Sequence, residues 1–242
     1  FPVTIRKRAG KYFASILVDT QDYNPHPEKL GESVGVDFGL KDLAICSNGK
    51  IFAANKKLRH SLDRLARKQR SLSRKKKGSN RYAKAKLAVS KLHYRITNQR
   101  HAVLHEISDY LTRNFSVITI EDLNVSGMLS NGNLALSVSD AGFGKLREMI
   151  EYKAELRGCT VVIADRWFPS SKKCYPCGEV NQKVVLGVES WTCDGCGTRH
   201  NRDANASDNL NQYGRDTLQL DVKPYSRAVE DASKNGASVV TV

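Results

Sequence analysis

Two C-x-x-C-G motifs lie within 23 residues of each other, Cys174-Tyr175-Pro176-Cys177-Gly178 and Cys193-Asp194-Gly195-Cys196-Gly197. Two residues between cysteines let one tight turn aim both sulfurs at a single ion, and a glycine suits the bend that follows. Four thiolates from two such turns match a tetrahedral zinc site with four cysteine ligands, a zinc ribbon. Disulfides or a redox pair are the alternatives, but doubled ribbon spacing favours the metal. A closed shell of four sulfurs leaves no open position for chemistry, so the zinc is expected to be structural. His200 is near but is not needed as a ligand. Cys46 and Cys159 stand alone among apolar residues and read as core cysteines. This cysteine usage suits a reducing compartment.

Charge is the second constraint. The chain of 242 residues carries a net +14, yet residues 56–100 alone hold 17 Lys or Arg and a single acid, Asp63. The rest has 22 basic and 24 acidic residues. Solvated helices normally mix signs, so a concentrated basic segment points to a polyanion held by one element. Arg64, Arg67, Lys68, Arg74, Lys75, Lys76, Lys77 and Arg81 are the expected phosphate contacts. A membrane partner is not expected, since no apolar run approaches the ~18–20 residues of a span. With nucleic acid as partner, the expected location is cytoplasmic, at the nucleoid.

Periodicity divides the chain. Residues 1–19 read as a β-hairpin and 20–33, with two prolines, as a linker. The chain opens without an initiator Met and inside a strand, so an upstream domain is expected. Residues 34–213 read as α/β: strands at 34–38, 43–46 and 51–53, a basic helical hairpin at 56–113, a strand at 117–121, a polar loop at 124–139 and a helix at 140–157. A strand at 161–165, the ribbon at 172–200 and a helix at 203–213 complete it. A polar tail, 214–242, has no convincing pattern.

Three acids share a setting. Asp37 and Glu121 end strands, and Asp203 opens the last helix. Acids at strand ends gather along one sheet edge, and a helix start there adds a third carboxylate. Three hard oxygen ligands suit Mg2+, and a pair of such ions can activate water and stabilise a leaving oxygen. Asp122, Asp140 and Asp165 are rival carboxylates that spacing does not exclude.

Gly35-Val36-Asp37-Phe38-Gly39-Leu40-Lys41, Ile120-Glu121-Asp122-Leu123-Asn124-Val125, Arg166-Trp167-Phe168-Pro169-Ser170-Ser171-Lys172 and Arg202-Asp203-Ala204-Asn205-Ala206 resemble the TnpB (OrfB) family. These are transposon-encoded proteins with a RuvC-like, RNase H-type nuclease domain, similar to type V CRISPR effectors. The resemblance covers roughly residues 33–213, with the ribbon between the second and third acid motifs. It implies RNA-guided DNA cleavage by a transposase accessory protein, with guide RNA and target DNA as partners. It makes Asp37, Glu121 and Asp203 the catalytic acids holding two Mg2+, and gives Arg202 and Asn205 supporting roles. The hairpin at 1–19 resembles the end of the family's oligonucleotide-binding wedge domain. The upstream half that would bind guide RNA is absent, so the chain reads as a catalytic fragment or the product of a decayed gene. A non-catalytic zinc-ribbon regulator and an integrase-type DNA strand transferase are the rival functions.

Overall fold

The computed structural model describes residues 2–18, 32–54, 57–132, 135–185 and 187–219. The chain begins with an antiparallel hairpin, β1 (Val3–Arg8) and β2 (Lys11–Ile16), in the expected place. Its two-residue turn uses Ala9 and Gly10, both at positive φ (53° and 81°), the twist that a tight hairpin needs. One face meets the main body, where the Phe13 ring lies 5.9 Å from that of Tyr94. Val3, Ile5 and Ile16 stay exposed. The expected linker falls almost wholly outside the described residues.

A five-stranded sheet forms the centre, in the order β5-β4-β3-β6-β7. Its strands are β3 (Ser33–Asp37), β4 (Asp42–Cys46), β5 (Ile51–Ala53), β6 (Val117–Glu121) and β7 (Thr160–Ala164). The first three run as an antiparallel meander, while β3, β6 and β7 are parallel. Parallel strands need crossovers, and helices supply them. β3 and β6 are covered on both faces, which is why Val34, Val36, Val117, Ile118 and Ile120 leave little polar alternation.

The basic segment folds as two helices, α1 (Lys57–Ser73) and α2 (Asn80–Asn114). Gly78 at φ 85° makes the turn, and the Ser79 hydroxyl caps α2 by accepting from the Tyr82 amide at 3.2 Å. Leu65, Val89, Leu92 and Ile96 form a small separate core between them. Farther along, Leu104, Ile107 and Leu111 of α2 belong to the main core. One long helix thus ties the basic hairpin rigidly to the sheet.

The polar stretch after β6 is more ordered than its composition suggests. It forms α3 (Val125–Ser130) and α4 (Ala135–Ala141). Asn124 caps α3, its Oδ1 accepting from the Gly127 amide at 3.0 Å. The helix expected over 140–157 is α5 (Phe143–Arg157), broken from α4 at Gly142, where φ is +67°. After β7 comes the cysteine segment, with a small pair β8 (Ser190–Thr192) and β9 (Arg199–Asn201) that the sequence reading did not resolve.

The last helix, α6 (Arg202–Leu218), outruns its expected end by more than a turn. It lies directly on the sheet because two glycines let it. A Cβ at Gly35 would sit 2.1 Å from the Ser207 carbonyl oxygen and 2.2 Å from the Asn211 nitrogen. A Cβ at Gly214 would sit 1.9 Å from Thr119 Oγ1. Gly214 therefore marks close packing, whereas the sequence reading takes it as the start of the tail. Residues 220–242 of that tail lie outside the described residues.

Candidate functional site

β3 and β6 are neighbours in parallel register, with Val36 opposite Ile120. Asp37 and Glu121 therefore emerge side by side at the carboxyl ends of their strands, the usual place for a site in an open α/β sheet. α6 begins at the same edge. Asn201 caps it through the Ala204 amide at 3.0 Å, and Asp203 stands in its first turn. The structure thus brings all three expected acids into one electrostatic cluster, each half-buried at the sheet edge.

Protein packed around the Asp37 carboxyl pushes its pKa well above the usual carboxylate range, and Glu121 and Asp203 push it further. Glu121 is raised for the same first reason, with Asp203 adding to it. Two groups oppose this. Arg202 lies beside the cluster and pairs with Asp203, Nε to Oδ1 at 2.8 Å. The Ser170 hydroxyl donates to Glu121 Oε1. Like charges this close are unfavourable without a counter-ion, and all the donors are hard oxygens. Hard oxygens are the donor type that a divalent cation of the Mg2+ class takes, but among the described residues only the four cysteines below bring their ligand atoms within 4.8 Å of one another.

The rival acids are engaged elsewhere. Asp122 pairs with Arg147 at 3.0 Å and Arg166 at 2.7 Å, and Asp140 pairs with Arg100. Asp165 accepts the Trp167 amide at 2.8 Å, in the turn after β7. That turn leaves Trp167 85% exposed, beside the recess lined by Asp122, Arg147 and Arg166. Asn205, for which a supporting role is expected, makes its contacts with the cysteine segment. It is buried, and its side chain bonds the Lys173 carbonyl at 2.7 Å and the Tyr175 amide at 3.1 Å. Two residues close to the cluster escaped the sequence reading, Ser170 and Asn209, whose Nδ2 donates to the Ser170 carbonyl at 2.8 Å. Ser170 lay within a quoted motif, but only folding shows its hydroxyl against Glu121.

The ligand atoms of Cys174, Cys177, Cys193 and Cys196 all lie within 4.8 Å of one another, so the cluster could hold one metal ion such as zinc. The Cys174–Cys196 and Cys177–Cys193 sulfur pairs are each 3.6 Å apart, and all six cysteines are free thiols. Gly178 (φ 80°) and Gly197 (φ 71°) close the two knuckles, donating to the carbonyls of Cys174 at 2.8 Å and Cys193 at 2.9 Å. His200 is not among the four ligands; its Nε2 lies 3.1 Å from Cys174 Sγ, and its ring packs on Trp191. Cys46 is fully buried, which pushes its thiol up to about 12 and leaves it inert.

The eight expected phosphate contacts line α1, its turn and the start of α2. Lys68 and Lys75 are half-buried and the other six exposed. None of the eight forms an ion pair among the described residues. Arg67, Arg70, Ser71, Arg74 and Lys75 line a shallow recess there, which adds Arg70 to the set.

The mixed α/β fold has solved counterparts. The fold superposes on a Cas12f1–sgRNA–target DNA complex with a TM-score of 0.50 and 17% identity, covering 86% of this chain and 55% of that one. A CRISPR-Cas12f ternary complex gives 0.52 and 19%, over 83% and 41%. These likenesses define a Cas12f-type fold. Residues 15–132 match the family described as "Probable transposase" (OrfB_IS605), and residues 143–210 match the "Cas12f1-like, TNB domain". A Streptomyces pristinaespiralis protein named "Putative RNA-guided DNA endonuclease" is 43% identical over 212 residues, 86% of this chain and 52% of that protein. Escherichia coli K12 "Putative RNA-guided DNA endonuclease InsQ" is 31% identical over 89% of this chain and 57% of its own length. The mimivirus "TnpB-like protein L79" is 26% identical over 84% and 41%. The chain thus resembles OrfB_IS605 transposases over its first half and the Cas12f1-like TNB domain over its second, and its relatives carry RNA-guided DNA endonuclease or TnpB-like names. It spans about half the length of the curated relatives it matches.

Proposed function

We propose that this chain carries the nuclease site of an RNA-guided DNA endonuclease of the transposon-associated kind, built on an RNase H-like (RuvC-like) domain. The observation that carries the reading is the convergence of Asp37, Glu121 and Asp203 at the carboxyl ends of β3 and β6 and the start of α6. The sheet order, an antiparallel meander continued by two parallel strands, supports the RNase H-like assignment. The names of the relatives support guide RNA and target DNA as partners.

In this reading Asp37, Glu121 and Asp203 hold divalent cations, which when bound supply Lewis-acid assistance to phosphodiester hydrolysis. The protein's own groups do the rest. Ser170 orients Glu121, and Arg202 limits repulsion among the acids without neutralising them. The basic face of α1 and its turn holds backbone phosphates. The four cysteines hold a structural zinc, and their free state accords with a reducing compartment inside the cell. Among the described residues no helix is long and apolar enough to cross a membrane.

The test begins with sequencing the RNA that copurifies with the protein, followed by a cleavage assay with the RNA found. One dominant RNA whose end lies in sequence flanking the element, and Mg2+-dependent cutting that Asp37→Ala abolishes, are expected. Cutting by Asp37→Ala equal to wild type sinks the site assignment. Binding without cutting favours a regulator, and joined DNA products favour a strand transferase.

A further inference from the structure

Among the described residues, Glu121 alone of the three acids accepts a hydrogen bond from a hydroxyl, that of Ser170. Ser170 is buried in the segment between β7 and the first cysteine knuckle, where little regular structure holds it. Two side chains of α6 do that work. Asn209 Nδ2 donates to the Ser170 carbonyl at 2.8 Å and to the Lys173 carbonyl at 2.6 Å. Asn205 Nδ2 donates to the same Lys173 carbonyl at 2.7 Å, and its Oδ1 accepts from the Tyr175 amide at 3.1 Å. Lys173 and Tyr175 flank Cys174. The Phe168 ring packs on Tyr213 of α6, 4.8 Å between centroids. Asn205 and Asn209 are nearly inaccessible to solvent, so their amides are committed to these carbonyls.

The two clusters are therefore joined by one chain of hydrogen bonds. It runs from the Cys174 knuckle through Asn205 and Asn209 to the Ser170 backbone, and through the Ser170 hydroxyl to Glu121. Resting on the acid-site reading above, we propose that Ser170 is a positioning residue, clamped by Asn209 together with the root of the first cysteine knuckle. It fixes the Glu121 carboxyl, so that the cysteine knuckle sets the divalent-cation affinity of the acid cluster. A carboxylate free to rotate must lose that freedom each time it takes up a cation. One already held by a hydroxyl does not, and such outer partners are typically worth about 10- to 100-fold in metal affinity.

The experiment is calorimetric titration of the whole zinc-loaded chain with Mn2+ alone. Zinc content and melting temperature are recorded for each variant. Ser170→Ala is expected to weaken Mn2+ binding by about tenfold or more while keeping its zinc and its melt. Ser170→Thr, which retains the hydroxyl, is expected to restore affinity. Asn209→Ala, which removes the shorter of the Ser170 carbonyl's two amide donors and leaves the Lys173 carbonyl to Asn205 alone, is expected to weaken Mn2+ binding and loosen zinc retention together. Unchanged Mn2+ affinity in Ser170→Ala or, should that variant fold poorly, in Asn209→Ala overturns the relay. If Asp37→Asn meanwhile abolishes Mn2+ binding, the acid-site reading stands without it. Wild-type protein that takes up no Mn2+ beyond the Asp37→Asn variant overturns both.

Discussion

Asp37 shares its corner of the sheet with two carboxylates, and the cost of that crowding has a sign that can be measured. An acid whose pKa is raised on folding stabilises the protein below its unfolded pKa, and that stability is lost as pH rises through the folded value. Cation-free protein is therefore expected to melt lower at neutral pH than in mild acid, as far as this site contributes. Asp37→Asn removes one of the repelling charges. It should raise the melting temperature of the cation-free protein by roughly 2–4 °C per kcal/mol relieved. It should also remove most of the stabilisation that Mg2+ gives. Differential scanning calorimetry with and without Mg2+ reads both. At Gly35 the issue is space rather than charge. Gly35→Ala drives a methyl into the α6 backbone and should cost at least about 3 kcal/mol in urea unfolding. Gly144, in the first turn of α5 with open space around its missing Cβ, is the control. Gly144→Ala should be neutral or stabilising by about 0.5–1 kcal/mol.

At the scale of elements, the cysteine knuckles and α6 form one working unit. β8 and β9 are three residues each, too short to hold a register alone. Trp191, Val184 and the buried Cys174 and Cys193 give them only a small core. A metal ion is the natural remaining source of stability for so small a module. The double variant Cys174→Ser/Cys177→Ser should lose one zinc per chain by elemental analysis and melt at lower temperature, rather than fold normally with a selective loss of cutting. A zinc-free variant with a wild-type melt would contradict this. Because β9 runs straight into α6, disorder in the knuckles should also reach Asp203.

In the proposed reading, the whole molecule separates holding from cutting. The basic hairpin has its own small core and is fixed to the sheet by the 35 residues of α2. Phosphate binding and the acid cluster can therefore be altered independently. Replacing Arg64, Arg67, Arg74 and Lys76 by Gln should weaken binding to double-stranded DNA. It should also flatten the log affinity against log salt plot by about 0.9 unit for each phosphate no longer neutralised. The fold should persist, since these side chains are exposed. Asp37→Asn should leave that slope unchanged. An unchanged slope in the four-residue variant would move the phosphate-binding face to another surface.

Whatever rests on local geometry or composition is legible in the chain alone. The C-x-x-C spacing dictates the knuckles, because two residues span one tight turn. A basic run with helical periodicity dictates the α1–α2 pair. Short apolar runs bounded by turn residues place β3 to β7 to within a residue. Periodicity could not show that Gly35 and Gly214 let α6 lie on the sheet, since the clash they avoid is with residues far away in sequence. Nor could it separate Asp37 and Glu121 from Asp122, Asp140 and Asp165, because a carboxylate's role depends on its neighbours. Folding gave the rivals arginines or a backbone amide, and it coupled Asp37 and Glu121 at the strand ends electrostatically to Asp203 of α6 and to Arg202. Ser170 and Asn209 became functional candidates only in three dimensions, since a hydroxyl or an amide acquires a task from the atom it meets.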